Sequence, residues 1–98
     1  MVKINYDFLE IDHIVEFRKD STVFAAAREN GCGHLRIFLI HTSTGNVYTR
    51  NGRAESWEEL LGTDKSSVIA RITSARASVP VYRVNGSTHL AAGGSGAY

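Results

Sequence analysis

The cysteine of this chain lies in the segment Gly31-Cys32-Gly33-His34, where a thiol and an imidazole stand two residues apart. Thiolate is the nucleophilic form of cysteine, and a neighbouring histidine can act as the base that generates it. Alternate residues of a strand point to the same side, so Cys32 and His34 would meet if this segment were extended. Cys32 is therefore a candidate reactive thiol, although we favour an inert loop thiol.

Cys32, His34 and His41 are also residue types that bind zinc. Structural zinc sites combine closely spaced pairs of ligands into a set of four. These three residues do not form such pairs, and the sequence shows no evident fourth ligand. We therefore predict no metal site.

Aromatic residues stand beside basic ones in two segments, which contain Tyr48, Arg50, Arg53, Tyr82 and Arg83. Stacking rings and cationic side chains together are typical of proteins that bind single-stranded nucleic acid. The net charge of the chain is only +1, however, which attracts a phosphate backbone weakly. We favour core tyrosines with solvated arginines and do not predict nucleic-acid binding.

The sequence contains no Gly-x-Ser-x-Gly, no P-loop and no Gly-x-Gly-x-x-Gly motif. These motifs mark common nucleophile and phosphate sites. The glycine-rich stretch near the C-terminus is not followed by a helix, so it is not predicted to hold a phosphate. We predict a protein that is not an enzyme and that uses no cofactor.

Length and composition are those of one small globular domain, since 43% of the 98 residues are hydrophobic and 21% are charged. No apolar run approaches the roughly 18–20 residues that span a bilayer, and the N-terminal segment lacks a signal-peptide pattern. A single cysteine forms no internal disulfide. We expect a cytoplasmic protein without membrane contact, with a globular domain over residues 1–86 and a flexible Gly/Ser/Ala-rich tail over residues 87–98.

The first half of the chain shows two strand signals and one helix signal. Apolar and polar residues alternate over residues 2–8 and, less regularly, over residues 13–19, which predicts two paired strands. Residues 22–30 follow several possible N-cap residues, carry an apolar stripe and end at Asn30-Gly31. This pattern predicts a helix.

The second half combines apolar strands with two further helix signals. The first of its strands is apolar on both faces, which favours an interior position, and Ser56 to Glu59 form a capping box. Val79-Pro80 cannot continue a helix. The predicted elements are strands over residues 35–41 and 47–50, a short helix from Ser56 to Gly62, a helix over residues 65–77 and a last strand over residues 79–84.

The predicted order, β-β-α-β-β-α-α-β, is that of an α+β protein. A single mixed sheet of about five strands with the first helix packed across it would bury the apolar stripes.

This order resembles the β-grasp family, which includes ubiquitin and small sulfur carriers. The segment "VEFRKDSTVFAAARENG" looks like the second strand and first helix of such domains, and "AAGG" resembles the Gly-Gly ending of the modifiers. The resemblance implies a precursor that a peptidase trims between Gly94 and Ser95. Gly93 and Gly94 would then enter an E1-like activating enzyme, where Gly94 supplies the carboxylate for conjugation or sulfur carriage. Glycine suits this role because it lets another backbone approach closely.

A second hypothesis is a small non-enzymatic protein of a phage or other mobile element that binds and inhibits a host defence complex. Its binding surface would be the acidic N-terminal hairpin or the basic last third of the chain. Lys65, Arg71, Arg76 and Arg83 lie in that last third, which contains no acidic residue after Asp64. A modifier depends on Gly94, whereas an inhibitor survives loss of the tail.

Overall fold

Six strands and one α-helix form the computed structural model, which describes residues 5–28, 35–52 and 56–88. A 3-10 turn at Tyr6–Phe8 precedes them. In chain order they are β1 (Glu10–Phe17), β2 (Thr22–Arg28), β3 (Leu35–His41), β4 (Asn46–Asn51), β5 (Glu58–Leu60), α1 (Gly62–Ala75) and β6 (Val81–Val84).

The strands form one mixed sheet in the order β5-β4-β3-β2-β1-β6. β1 to β5 are a run of antiparallel neighbours, whereas β6 lies parallel to β1. The connection from β5, at one edge of the sheet, to β6, at the other, runs through α1. The predicted fold class is confirmed: the chain is an α+β domain with a mixed sheet and one helix packed across it, consistent with a β-grasp-like fold.

The hydrophobic core lies between α1 and one face of the sheet. Val68, Ile72 and Ala75 are the buried stripe of the helix. They pack against apolar side chains of the strands, among which Ile14, Phe38 and Val47 are fully buried: the strand contributions are Ile11, Ile14, Ala25, Ala27, Phe38, Ile40, Val47 and Leu60. Burying a large apolar side chain contributes about 1.5–3 kcal/mol, so this face holds the helix in place.

The 3-10 turn closes the end of this core. Asn5 caps the turn by accepting a hydrogen bond from the Asp7 amide at 3.1 Å. Tyr6 then reaches the edge of the Phe38 ring, with 6.2 Å between centroids. The Arg71 guanidinium of α1 donates to the Leu9 carbonyl at 2.9 Å, which joins the helix to the residue before β1. Residues 6–8 are therefore not the strand that was predicted over residues 2–8, and residues 2–4 lie outside the described part of the chain.

The helix predicted over residues 22–30 is wrong, because residues 22–28 are the strand β2. Ala25 and Ala27 face α1, and Ala26 faces the opposite side, yet all three are buried. A strand that is buried on both faces reads as a continuous apolar run, which periodicity does not distinguish from a helix. Pairing with β1 and β3 on both sides overrides the helix signal.

The short helix predicted from Ser56 is also wrong, because residues 58–60 are the edge strand β5. Leu60 pairs with Val47 and is buried in the core. A helix of one and a half turns is marginal by itself, so burial of Leu60 decides the conformation.

The other predicted elements are confirmed with small shifts in their bounds. The strand predicted over residues 13–19 is β1, and those over residues 35–41, 47–50 and 79–84 are β3, β4 and β6. The helix predicted over residues 65–77 is α1, which begins three residues earlier. None of the helices in the described ranges is long and apolar enough to cross a membrane.

Candidate binding site

The face of the sheet opposite α1, called the outer face below, carries mostly apolar and aromatic side chains. They occupy the strand positions that alternate with the core positions. They include Val15, Phe17, Phe24, Ala26, Leu35, Ile37, Leu39, Tyr48, Tyr82 and Val84, and the same face also carries the polar residues His13, Thr22, Arg28, His41, Asn46, Arg50 and Glu59. Within the described ranges α1 is the sole α-helix, and it packs on the other face.

Strand register arranges these side chains in two neighbouring cross-strand rows. One row runs from β1 to β4 through His13, Ala26, Ile37 and Arg50. The adjoining row runs from β6 to β4 through Tyr82, Val15, Phe24, Leu39 and Tyr48. Neighbouring strands lie about 4.8 Å apart, so the first row spans roughly 14 Å between its end residues.

The first row contains a cavity of about 570 Å³. Ala26 and Ile37 lie in the middle of the row and Phe24 borders it from the adjoining row, while His13 and Arg50 stand at its two ends. Leu35 and Gly52 complete the lining. Ala26 is the shortest side chain of both rows and is only 4% exposed. The lining is predominantly apolar, with polar groups at the ends, as is usual for ligand sites.

Arg50 forms the cationic end of the cavity. Its guanidinium carbon lies 5.2 Å from the centre of the Trp57 ring, an arrangement in which the ring attracts the cation and orients its plane. The residue is only 7% exposed.

His13 and Asp12 form the opposite end. A β-bulge between Ile11 and His13 places the extra residue Asp12 beside the cavity. The Nδ1 atom of His13 lies 3.2 Å from Oδ2 of Asp12. The imidazole also lies 6.3 Å from the Phe24 ring and 6.1 Å from the Tyr82 ring, so it joins the cavity to the exposed margin of the sheet.

That margin is β6, the outermost of the described strands on its side of the sheet. Tyr82 is 55% exposed and Val84 is 38% exposed. The carbonyls of Pro80 and Val84 accept hydrogen bonds from the Ile14 and Arg18 amides at 2.9 and 2.8 Å. Even-numbered residues therefore direct their backbone groups towards β1.

The backbone groups of Val81 and Arg83 alternate with these and point away from β1. Among the described residues no strand pairs with them. The Arg83 side chain lies on the α1 side of the sheet, where its Nε is 3.2 Å from the Glu16 carboxylate. Arg76, just beyond the C-terminal end of α1, contacts the same carboxylate.

Of the residues considered for zinc, only His41 lies in the described ranges. Its Nδ1 is 3.3 Å from the Thr22 hydroxyl, and its ring packs edge-on against Tyr48 at 5.6 Å. The described residues contain no group of three or more His, Cys, Asp or Glu side chains that could hold a metal ion. Cys32 and His34 lie outside them, as do the tail residues Gly93, Gly94 and Ser95.

The aromatic and basic residues considered for nucleic acid divide between the two faces. Tyr48, Arg50 and Tyr82 share the outer face, whereas Arg83 pairs with Glu16 on the other side; Arg53 lies outside the described ranges. The expected core tyrosines with solvated arginines are wrong in two cases, because Arg50 is buried and Tyr82 is exposed.

Sequence reasoning did not single out Ala26, His13 or Trp57. An alanine side chain has no reactive or polar group, and Ala26 joins the site only because strand pairing places it between His13 and Ile37. Trp57 was considered only as part of a capping box, yet it packs against Arg50. These residues become neighbours only through strand pairing, so they cannot be grouped from the sequence until the order of the strands is known.

No protein-family model, curated protein or solved structure matches this chain. The β-grasp family membership suggested by the sequence therefore stays a prediction.

Proposed function

We propose that this protein acts by binding a partner protein, which adds an extended segment to the free edge of β6. The observation that carries this proposal is the state of that strand: Tyr82 and Val84 are exposed, and the backbone groups of Val81 and Arg83 point away from the sheet. An open edge of this kind pairs with an extended peptide through main-chain hydrogen bonds.

The side chains of β6 define the chemistry of the partner segment. When a partner segment pairs with β6, every second residue of that segment lies on the same face of the sheet as every second residue of β6. The residues that reach the outer face would therefore meet Tyr82 and Val84, which favours apolar side chains at those positions. We expect a partner segment of alternating character whose apolar residues cover these two side chains.

A proline at position 83 tests this proposal. Proline is tolerated on an edge strand when the missing N–H points outwards, so Arg83→Pro keeps the β1–β6 pairing and removes one edge donor. Arg83→Ala is the matched control, because it loses the same ion pair with Glu16 and retains the N–H. Peptides selected on the wild-type protein from a displayed random library should bind Arg83→Ala and lose at least tenfold in affinity for Arg83→Pro.

Amide hydrogen exchange locates the bound peptide. Pairing at the edge slows exchange of the Val81 and Arg83 amides when a selected peptide is present. Peptides that protect another strand, or that bind Arg83→Pro as tightly as Arg83→Ala, would contradict the proposal. A small inhibitor of a host defence complex would be one example of a protein that acts in this way.

A second candidate function is that of a ubiquitin-like modifier or sulfur carrier. The specific observation in its favour is the parallel pairing of the first strand β1 with the last strand β6, in a fold consistent with the β-grasp type. Beyond β6 the Thr88 amide donates to Oδ2 of Asp20 at 2.9 Å. Gly94 follows six residues later, a reach of at most about 20 Å.

In this second proposal a peptidase removes the residues after Gly94, and an E1-like enzyme activates the new carboxylate. Intact mass spectrometry after incubation with lysate of the native host tests it. The mass should fall by the residues from Ser95 to Tyr98, and Gly94→Ala should prevent the change while Gly86→Ala does not. Scattered cleavage, or a chain that keeps its full mass, would exclude processing.

A further inference from the structure

We propose that the partner segment at β6 is the same strand of a second copy of this chain, so that two copies pair antiparallel along their β6 edges. This inference rests on the proposed function, because it assigns the partner at the same edge. A twofold axis through the middle of the paired strands would join the two six-stranded sheets into one symmetric dimer.

The strand β6 itself meets the requirements that its edge sets for a partner, which are alternation and apolar side chains beside Tyr82 and Val84. Val79 and Val81 pack against the core on the α1 side, so Pro80, Tyr82 and Val84 lie on the outer face, where all three are exposed. Pro80 does not interrupt the free edge, since its carbonyl points towards β1, as do the backbone groups of the other even-numbered residues.

One register fits the backbone groups that point away from β1. With Tyr82 opposite Tyr82 of the second copy, Val81 lies opposite Arg83 in two equivalent pairs, and each pair exchanges both of its main-chain hydrogen bonds. The two Tyr82 residues form the non-hydrogen-bonded pair between them, in which Cα atoms are about 4.5 Å apart and side chains touch. On the outer face Val84 then meets Pro80 of the second copy.

The two neighbouring antiparallel registers are less favourable. Pairing centred on Arg83 would place two like charges directly opposite each other, which is destabilising. Pairing centred on Val81 would place Arg83 opposite Val79, whose amide already donates to the last carbonyl of α1 at 3.0 Å. In the register centred on Tyr82, the Arg83 guanidinium lies opposite a valine and remains beside Glu16, 3.2 Å from its carboxylate. Charge and hydrogen bonding therefore select one arrangement of the two copies.

Sedimentation velocity over a range of protein concentrations tests the assembly. The strand β6 has four residues, so the interface should be smaller than the roughly 1,200–2,000 Å² of stable complexes, and we expect a dimer with a Kd of about 100 µM. Arg83→Pro removes an outward N–H from each copy and should weaken the dimer at least tenfold. Arg83→Ala retains that N–H and should change the Kd less than threefold.

Charged substitutions of Tyr82 test the register, because this residue lies opposite itself only in the proposed arrangement. Tyr82→Lys and Tyr82→Glu should each weaken self-association at least tenfold through repulsion of like charges. Mixed in equal amounts, the two variants should form a one-to-one dimer at least tenfold tighter than either forms alone. Phe8 is also an exposed aromatic residue, so Phe8→Lys and Phe8→Glu are the matched controls and should dimerise as the wild type does. Circular dichroism confirms in each case that the variant is folded.

Three results would overturn this inference: a wild-type protein that stays monomeric at about ten times the expected Kd, a dimer that Arg83→Pro leaves intact, or Tyr82 variants that do not associate when mixed. Its failure is distinct from that of the proposed function. If a displayed peptide slows exchange of the Val81 and Arg83 amides in a protein that stays monomeric, binding at the edge stands and only the identity of the partner is wrong. A dimer that passes both variant tests supports the inference whether or not a displayed peptide binds.

Discussion

His13 on β1 and Arg50 on β4 stand at opposite ends of one cross-strand row, with Ala26 and Ile37 between them. All four side chains line a cavity of about 570 Å³. The site therefore depends on four strands in a particular register, and a shift of one residue in any of them would turn its side chain to the helix side.

Substitution of neighbouring alanines by leucine should distinguish the two faces of β2. Ala25→Leu forces a larger side chain into the packed core under α1 and should lower the free energy of unfolding by about 1–3 kcal/mol. Ala26→Leu extends into the cavity and should leave stability unchanged or raise it by about 0.5–2 kcal/mol. Urea denaturation measures both, and an equal loss in the two variants would show that the cavity is not open space.

Phe38 should be one of the most sensitive residues of the core. It is fully buried and contacts the Tyr6 ring, so Phe38→Ala should cost about 3–5 kcal/mol of stability. Phe8→Ala removes the same ring from a position that is 59% exposed and should change stability by no more than about 0.5 kcal/mol. Thermal or chemical unfolding measures the stability of both variants. Similar losses of stability in Phe38→Ala and Phe8→Ala would contradict the placement of Phe38 in the core.

The Glu16 carboxylate joins the end of α1 to β6, because it contacts both Arg76 and Arg83. Both arginines are substantially exposed, so solvent and salt weaken these contacts. Glu16→Gln should lower stability by about 1 kcal/mol at low ionic strength and by less in molar salt. Glu58→Gln, at an exposed residue of β5, is the control, and a loss that does not depend on salt would argue against an ionic role for Glu16.

Gly45 should resist replacement for a backbone reason. Its φ of 79° lies in the left-handed region, and a Cβ there would meet no other atom within 4 Å. Gly45→Ala should therefore cost about 1–2 kcal/mol through backbone strain alone. At Gly86, where φ is not positive and the added Cβ would be 4.0 Å from Val84, alanine should be neutral or slightly stabilising. Equal melting temperatures for the two variants would refute this account.

The conformation of residues 22–28 could not be predicted from the neighbouring sequence. Val23 to Ala27 are apolar without interruption, and possible caps stand before them, so a helix and a doubly buried strand fit equally well. The outcome depends on β1 and β3, which pair with β2 along its whole length. Because these partners lie elsewhere in the chain, no window around residues 22–30 contains the deciding contacts.

The sequence by itself determined the α+β class, the helix with its stripe of Val68 and Ile72, and the strands that pair through the turn at Gly45. Each of these follows from periodicity or turn residues within a few positions. Tertiary structure alone decided that β2 and β5 are strands, that Arg50 is buried against Trp57, and that Ala26 and Ile37 lie between His13 and Arg50. These features arise from contacts between residues that are far apart in the chain. A short stretch of sequence carries no information about the energy of such contacts.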